Sequence, residues 1–201
     1  MKKFTLLLCA IFLSTIGFSQ NLVVNGDMES WDDSNTPTSW THVENAAQST
    51  NAHSGTYSVQ HTGGTSDLAQ TISGIIPGKT YTISFWYQHE TGTGDGTDLR
   101  IWSYWKAGNT NLTDNADELR GPNDSYLDNN NGEWTQYSVT LTAPATADNF
   151  YFEVRTYGGA VGYYDDFSFT CLDCQAAFDC PELSANIGDT CDDENPNTST
   201  M

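Results

Sequence analysis

The chain has 201 residues, with 26 Asp and Glu against 7 Lys and Arg and a net charge of −19. Lys2 and Lys3 stand at the very start, so the rest of the chain sets five cations against all of its acids. No basic stripe exists to hold nucleic acid or anionic lipid. The 12% of aromatics, the 17 Gly and the abundance of Thr, Ser and Asn argue against a helical protein.

Residues 1–19 read as a signal peptide. Lys2-Lys3 form the basic start, residues 4–16 the apolar core, and Gly17 and Ser19 the small residues before a cut ahead of Gln20. The apolar run is short for a membrane span, which needs about 20 residues. Cys9 follows Leu8 where a lipoprotein site has a small residue, and the apolar core continues past it, so a lipid anchor is discarded. No second run of span length follows. The mature chain is expected to be exported, secreted or at the cell surface, without membrane insertion.

From residue 20 to residue 170 the chain reads as strands separated by Gly, Asn and Asp turns. The predicted strands are 22–24, 58–61, 69–73, 80–89, 99–106, 135–142, 149–157 and 163–170. The pattern is cleanest at 80–89 (TYTISFWYQH), where Tyr81, Ile83, Phe85 and Tyr87 share one face and Thr82, Ser84, Trp86 and Gln88 the other. No amphipathic helix is predicted. About eight short strands in one domain indicate an all-β, two-sheet antiparallel sandwich. Tyr81, Phe85, Tyr137, Phe150, Phe152 and Phe167 are assigned to its core, and Trp31, Trp40 and Trp134 to structural positions. Trp102 and Trp105 are three apart and face opposite ways; Trp105 is taken as core. The polar stretches 91–98 and 108–133 are long for loops of a compact domain.

The composition changes at residue 171. Residues 171–201 form a cysteine-containing acidic tail with no strand periodicity, expected to be irregular and held by disulfides. Cys171, Cys174, Cys180 and Cys191 make an even set, which in an exported chain points to two disulfides with three pairings open. A zinc site is the rival reading, because Cys171 and Cys174 have ligand spacing.

Six landmarks resemble one family in order. They are residues 21–29 (NLVVNGDME), Trp31 with the Pro37–Trp40 pair, His53-Ser54-Gly55 with Tyr57-Ser58-Val59, Pro77-Gly78-Lys79-Thr80-Tyr81, Trp134, and Tyr164-Asp165-Asp166-Phe167. Together residues 21–170 resemble carbohydrate-binding modules of the jelly-roll group, families four, nine and twenty-two, with a galactose-binding-like fold. Residues 109–131 have no counterpart in that pattern. Residues 187–198 resemble the G-D-x-C-D-D-G-N-P-N-T segments of surface proteins from polysaccharide-degrading Gram-negative bacteria, with Glu194 where Gly is usual. Such segments normally run on to further cysteines, so other domains of a larger parent protein are expected.

The resemblance implies that the first strand, the 53–55 turn and the last strand meet at one edge. Asn25, Asp27, Glu29, His53, Asp165 and Asp166 would gather there around a structural Ca²⁺, a hard ion that prefers several oxygens. In the tail, Asp189, Asp192, Asp193, Asn195 and Asn197 are a weaker oxygen-rich set.

Sugars present flat C–H faces rimmed by hydroxyls, which suit aromatic rings flanked by polar groups. The outward residues of the middle strands supply that mixture: Trp86, Gln88, Arg100, Trp102, Tyr104, Glu153, Arg155 and Tyr157. A polysaccharide or glycan is the expected partner. A structural or adhesive domain of the same fold, its aromatics covered by the 109–131 loop, is the alternative. An accessory fragment of a larger secreted enzyme is another. No catalytic activity is expected of the chain itself. Asp165 and Asp166 are strand neighbours facing opposite ways, Asp117 and Glu118 are one pair among many acids, the four His are scattered, and no nucleophile or metalloprotease motif is present.

Overall fold

Strands that are apolar on alternate residues have one face to bury, and two sheets here bury theirs against each other. The computed structural model describes residues 20–121 and 124–174. The leader at 1–19, Cys180, Cys191 and the acidic set at 189–197 lie outside these residues.

A two-stranded ribbon, β1 (Trp31–Asp33) and β2 (Thr36–Pro37), comes first. It is followed by β3 (His42–Val43), β4 (Ala46–Ser49), β5 (Ser58–Thr62), β6 (Ser66–Ser73), β7 (Thr80–Thr91), β8 (Leu99–Ile101), β9 (Tyr104–Ala107), β10 (Thr110–Asn111), a short helix α1 (Ala116–Arg120), β11 (Thr135–Thr142), β12 (Asn149–Thr156) and β13 (Val161–Cys171). One sheet has the order β11-β7-β13-β5-β4; the other has β10-β9-β12-β6-β3, with β8 also beside β12. Every pairing is antiparallel. This is the expected jelly-roll sandwich.

The core is aromatic. Phe85 of β7 lies 5.4 Å from Phe167, 6.1 Å from Phe152 and 5.1 Å from Tyr137, ring centre to ring centre. Trp105 is fully buried against Phe150, Tyr81 and Phe169. Of the six residues assigned to the core, only Tyr137 keeps partial exposure. Trp40 is buried and edges Phe167, while Trp31 donates its indole N–H to the carbonyl of Met28 at 2.6 Å.

Three sequence expectations need correction. The 22–24 segment is not a regular strand: it joins β13 through an Asn21–Thr170 bridge and the bond from Leu22 N to Phe169 O. The predicted strand at 99–106 is two strands, because Ser103 interrupts the ladder and bonds the backbone of Glu153 with its hydroxyl. A helix does occur, α1, within the 108–133 segment. This segment closes the side of the sandwich. Ser103 N bonds Leu119 O, Ile101 N bonds Ser125 O and Leu127 N bonds Leu99 O, so the strap extends the edge at β8. It reaches the other sheet through the Tyr137 hydroxyl on Glu118 O and the Tyr87 hydroxyl on Asp128 O. Leu119 and Leu127 complete the core from it.

At the end of β13, Cys171 and Cys174 are joined by a disulfide. Asp173 between them accepts the Thr80 N–H at 2.7 Å, which ties the chain to the start of β7.

Leu119 has no solvent exposure. Leu119→Ala is expected to lower stability by about 2–5 kcal/mol, read as a shift of the urea midpoint. A loss below 1 kcal/mol would show that the strap does not close the core.

Candidate functional site

The outward residues of the six-stranded sheet stand in cross-strand rows, because antiparallel pairing puts opposite residues on the same face. One row runs Glu44, Asp67, Arg155, Arg100 and Tyr126, through the pairs Asp67–Arg155 and Arg155–Arg100, the Arg100–Tyr126 bridge, and the bond from Glu44 N to Asp67 O. The next holds His42, Ala69, Glu153 and Trp102. A third holds Thr71, Tyr151 and Tyr104, and a fourth Ser73, Asn149, Lys106 and Asn111.

The described residues contain five Lys and Arg. Four of them touch rings on this face. The Arg100 guanidinium sits between Tyr126 (4.1 Å) and Trp102 (4.4 Å), and Arg155 lies 4.8 Å from Trp102. Arg120 lies 4.0 Å from Tyr104, and Lys106 is 5.7 Å from Tyr151. Each such contact is worth about 0.5–1 kcal/mol at an exposed site, and together they hold the rings in place. Arg100 is also bound to the carbonyls of Arg120 and Gly121 and to the Ser125 hydroxyl. It is thereby buried, although it points outward.

Glu153 is 3% exposed. It pairs with Arg155, whose Nε also lies 3.1 Å from Asp67 Oδ1. Burial nevertheless outweighs the guanidinium and pushes the Glu153 carboxyl up to about 7. Tyr157 neighbours Arg155 beyond the end of β12.

The eight residues predicted for the ligand do not share one surface. Arg100, Trp102, Tyr104, Glu153, Arg155 and Tyr157 belong to the six-stranded sheet. Trp86 and Gln88 lie on β7, on the outer face of the other sheet, a sandwich thickness away. Alternation reports inward or outward, never which sheet. Trp86 there has His53 stacked on it at 3.7 Å with Trp134 against the His53 edge. Gln88 is bonded to Asn51 and to the carbonyl of Gly132. Trp86 also faces a hydroxyl surface, since Ser138–Ser84–Ser168 and Thr140–Thr82–Thr170 are aligned in rows across β11, β7 and β13. Sequence reasoning missed Tyr151, Tyr126 and Asp67. Tyr151 alternates with buried Phe150 and Phe152, and that signal alone places it beside Glu153 on the outer face.

At the expected calcium edge, the 53–57 turn is held by three carboxylates. Asp165 Oδ2 accepts the N–H of His53 (2.9 Å) and Ser54 (3.2 Å), and its Oδ1 accepts that of Asp166. Asp166 accepts His53 Nδ1 at 2.6 Å and the Ser54 hydroxyl at 2.8 Å. Glu29 Oε1 accepts the N–H of Thr56 and Tyr57. Gly55, with φ +61°, presses on that carboxylate where a Cβ would overlap it. Asp165 has no exposure, and burial, assisted by Asp166, raises its carboxyl to about 6. Asn25 uses its amide on Ser30 and Thr38, and Asp27 is exposed. Among the described residues, three His, Cys, Asp or Glu donors lie within 4.8 Å of one another in two places, neither of them at this edge: Cys171–Asp173–Cys174 and His42–Glu44–Asp67. In the first, both sulfurs are engaged in the disulfide.

A sequence model described as "Carbohydrate binding domain" matches residues 20–159. The chain belongs to this family of carbohydrate-binding domains. A comparison with curated proteins finds no match. The carbohydrate-binding domain is similar in structure to a family 16 carbohydrate-binding module, with 20% identity and a TM-score of 0.53, covering 75% of this chain and 99% of that one. It is similar to TmCBM61, solved with β-1,4-galactotriose, at 16% identity and a TM-score of 0.51, covering 76% and 99%. It is also similar to the CBM22-1 xylan-binding domain from Paenibacillus barcinonensis Xyn10C, at 13% identity and a TM-score of 0.52, covering 78% and 97%. At these identities the likeness concerns the fold.

The raised Glu153 carboxyl gives a signed pH effect. The folded chain keeps a proton that the unfolded chain releases above about 4.5, so this stabilisation is full below 4.5 and is lost as pH rises through about 7. Glu153→Gln is therefore expected to melt at or above the wild-type temperature at pH above 7, the gain vanishing towards pH 4.5. A variant less stable than wild type at high pH would mean that the ionised pair with Arg155 is the stronger effect.

Proposed function

We propose that the chain is a non-catalytic, exported module that binds a polysaccharide or glycan on the outer face of the six-stranded sheet. The observation that carries this reading is the set of partly exposed rings, Trp102, Tyr104 and Tyr151, standing on neighbouring strands beside Glu153 and Arg155. Rings offer their faces to the apolar side of a pyranose, while the partly exposed Arg155 guanidinium, held from beneath by buried Glu153, suits its hydroxyls. Affinity is modest, because hydroxyls lose water on binding. The xylan and galactotriose named for the similar structures make β-1,4-linked glycans the first polymers to try. Export is supported by the Cys171–Cys174 disulfide, which persists in oxidising compartments. In a larger parent, the module would tether an enzyme or a cell-surface assembly.

One observation favours the structural or adhesive reading: Arg100 and Arg155 both lie over Trp102, occupying ring surface that a sugar would need. A single experiment separates the two. Affinity electrophoresis through xylan, galactan and other neutral polymers is expected to show retardation by at least one. Trp102→Ala and Tyr104→Ala should abolish it, and Trp86→Ala, on the other sheet, should leave it intact. Loss with Trp86→Ala alone would move the site to the other face, and no retardation of a folded sample would leave the adhesive reading.

Calcium at the 53–57 edge belongs to the same proposal. Asp165 is a buried carboxylate paired with N–H groups and with no cationic side chain, and Asp166 and Glu29 lie against the same turn. Such hard oxygens suit Ca²⁺, which would pin both ends of the domain without taking part in sugar contact. Melting in EDTA is expected several degrees below melting in calcium; equal temperatures would count against the ion.

A further inference from the structure

His42, Glu44 and Asp67 stand at the β3 end of the six-stranded sheet, away from the 53–57 edge. His42 and Glu44 are two apart on one outward side, and Asp67 of β6 lies opposite Glu44. Each acid has one oxygen engaged and one turned to a shared point. Asp67 Oδ1 lies 3.1 Å from Arg155 Nε, and its Oδ2 lies 3.8 Å from His42 Nε2. Glu44 Oε2 accepts the N–H of Asp67 at 3.1 Å, and its Oε1 lies 3.6 Å from His42 Nε2.

Both distances to the imidazole exceed a hydrogen bond, which brings N and O within about 3.2 Å. They approach the separation of donors around one metal ion. With metal–ligand bonds of about 2.1 Å, donors on a four-coordinate zinc stand roughly 3.4 Å apart, so a small side-chain rotation closes the difference. The local charge points the same way. Asp67 shares the Arg155 guanidinium with Glu153, and among the described residues Glu44 has no Lys or Arg within ion-pair distance, which leaves the corner short of positive charge. The fixed second oxygens and the Arg155 contact are the outer support that orients metal ligands.

We propose that His42, Glu44 and Asp67 form a divalent-metal site of the Zn²⁺ class. One nitrogen and two carboxylate oxygens suit a borderline ion better than Ca²⁺ or Mg²⁺, which take oxygen throughout. His42 and Glu44 are half-exposed, so the ion would keep open positions towards solvent at the end of the ring-bearing face. The proposal does not depend on sugar binding there.

The test is calorimetric titration of Zn²⁺ into the metal-stripped full chain at neutral pH, alongside His42→Ala and Glu44→Gln. NMR would follow the imidazole signal that His42→Ala removes. Wild type is expected to take up one equivalent more than either variant, with the His42 signal shifting at sub-stoichiometric zinc. Both positions are half-exposed, so the variants should melt with wild type. If one does not fold, the other and the wild-type His42 signal decide. Equal uptake by all three proteins, or zinc bound without a shift of the His42 signal, would overturn the site. Displacement of the zinc by equimolar Ca²⁺ would overturn the assignment of metal class.

Discussion

The sandwich depends on a break in regularity at Asp166. Strict alternation along β13 would put Tyr164 on the face opposite Phe167 and Phe169. Asp166 instead adopts φ +49°, and the register with β7 shifts between Asp165 and Ser168. The bulge turns Tyr164, Phe167 and Phe169 all inward, where Phe167 meets Trp40, Phe85, Phe152 and Tyr164. It also sends Asp165 beneath the 53–54 turn and Asp166 out to His53. One irregular residue thus sets the centre of the core and the edge where the first and last segments meet.

The two outer faces divide labour differently. On the five-stranded sheet, outward residues are mostly Ser and Thr; Trp86 there is capped by His53, and Tyr163 is tied through its hydroxyl to Gln60 and Glu90. On the six-stranded sheet, rings and cations alternate. A chain this acidic has few positive charges, and those it has near the fold are used chiefly to position aromatic side chains. Arg100 and Arg120 also bind carbonyls of the strap between β10 and β11. The same guanidiniums that steady Trp102 and Tyr104 therefore help to close the side of the sandwich.

What could be read in advance follows from which physics is local. Side-chain alternation is local, so the strands at 80–89 and 135–142 and the inward fate of Trp105, Phe150 and Phe152 were legible. Sheet membership is set by chain crossovers, which leave no mark on alternation; hence Trp86 and Trp102, both outward, were assigned to one surface when they lie on two. The strap was illegible because its two core residues, Leu119 and Leu127, are isolated in a polar stretch without periodicity. Short strands such as β3 carry too few residues to show a pattern, and His42 and Glu44 went unnoticed with it. Asp165 and Asp166 were placed at the right edge through a resemblance, but their bonds to the 53–54 turn became visible only with the bulge.

The Asn21–Thr170 bridge has a mechanical meaning. The paired segments are antiparallel, so the chain enters and leaves the domain at the same corner. A force applied between the two ends would load the Leu22–Phe169 bond and the Asn21 side-chain bonds one after another, like a zipper, rather than shearing a whole ladder at once. Held by both ends, the domain would begin to open at this corner, where the disulfide at residues 171–174 stands next to the first bonds to part.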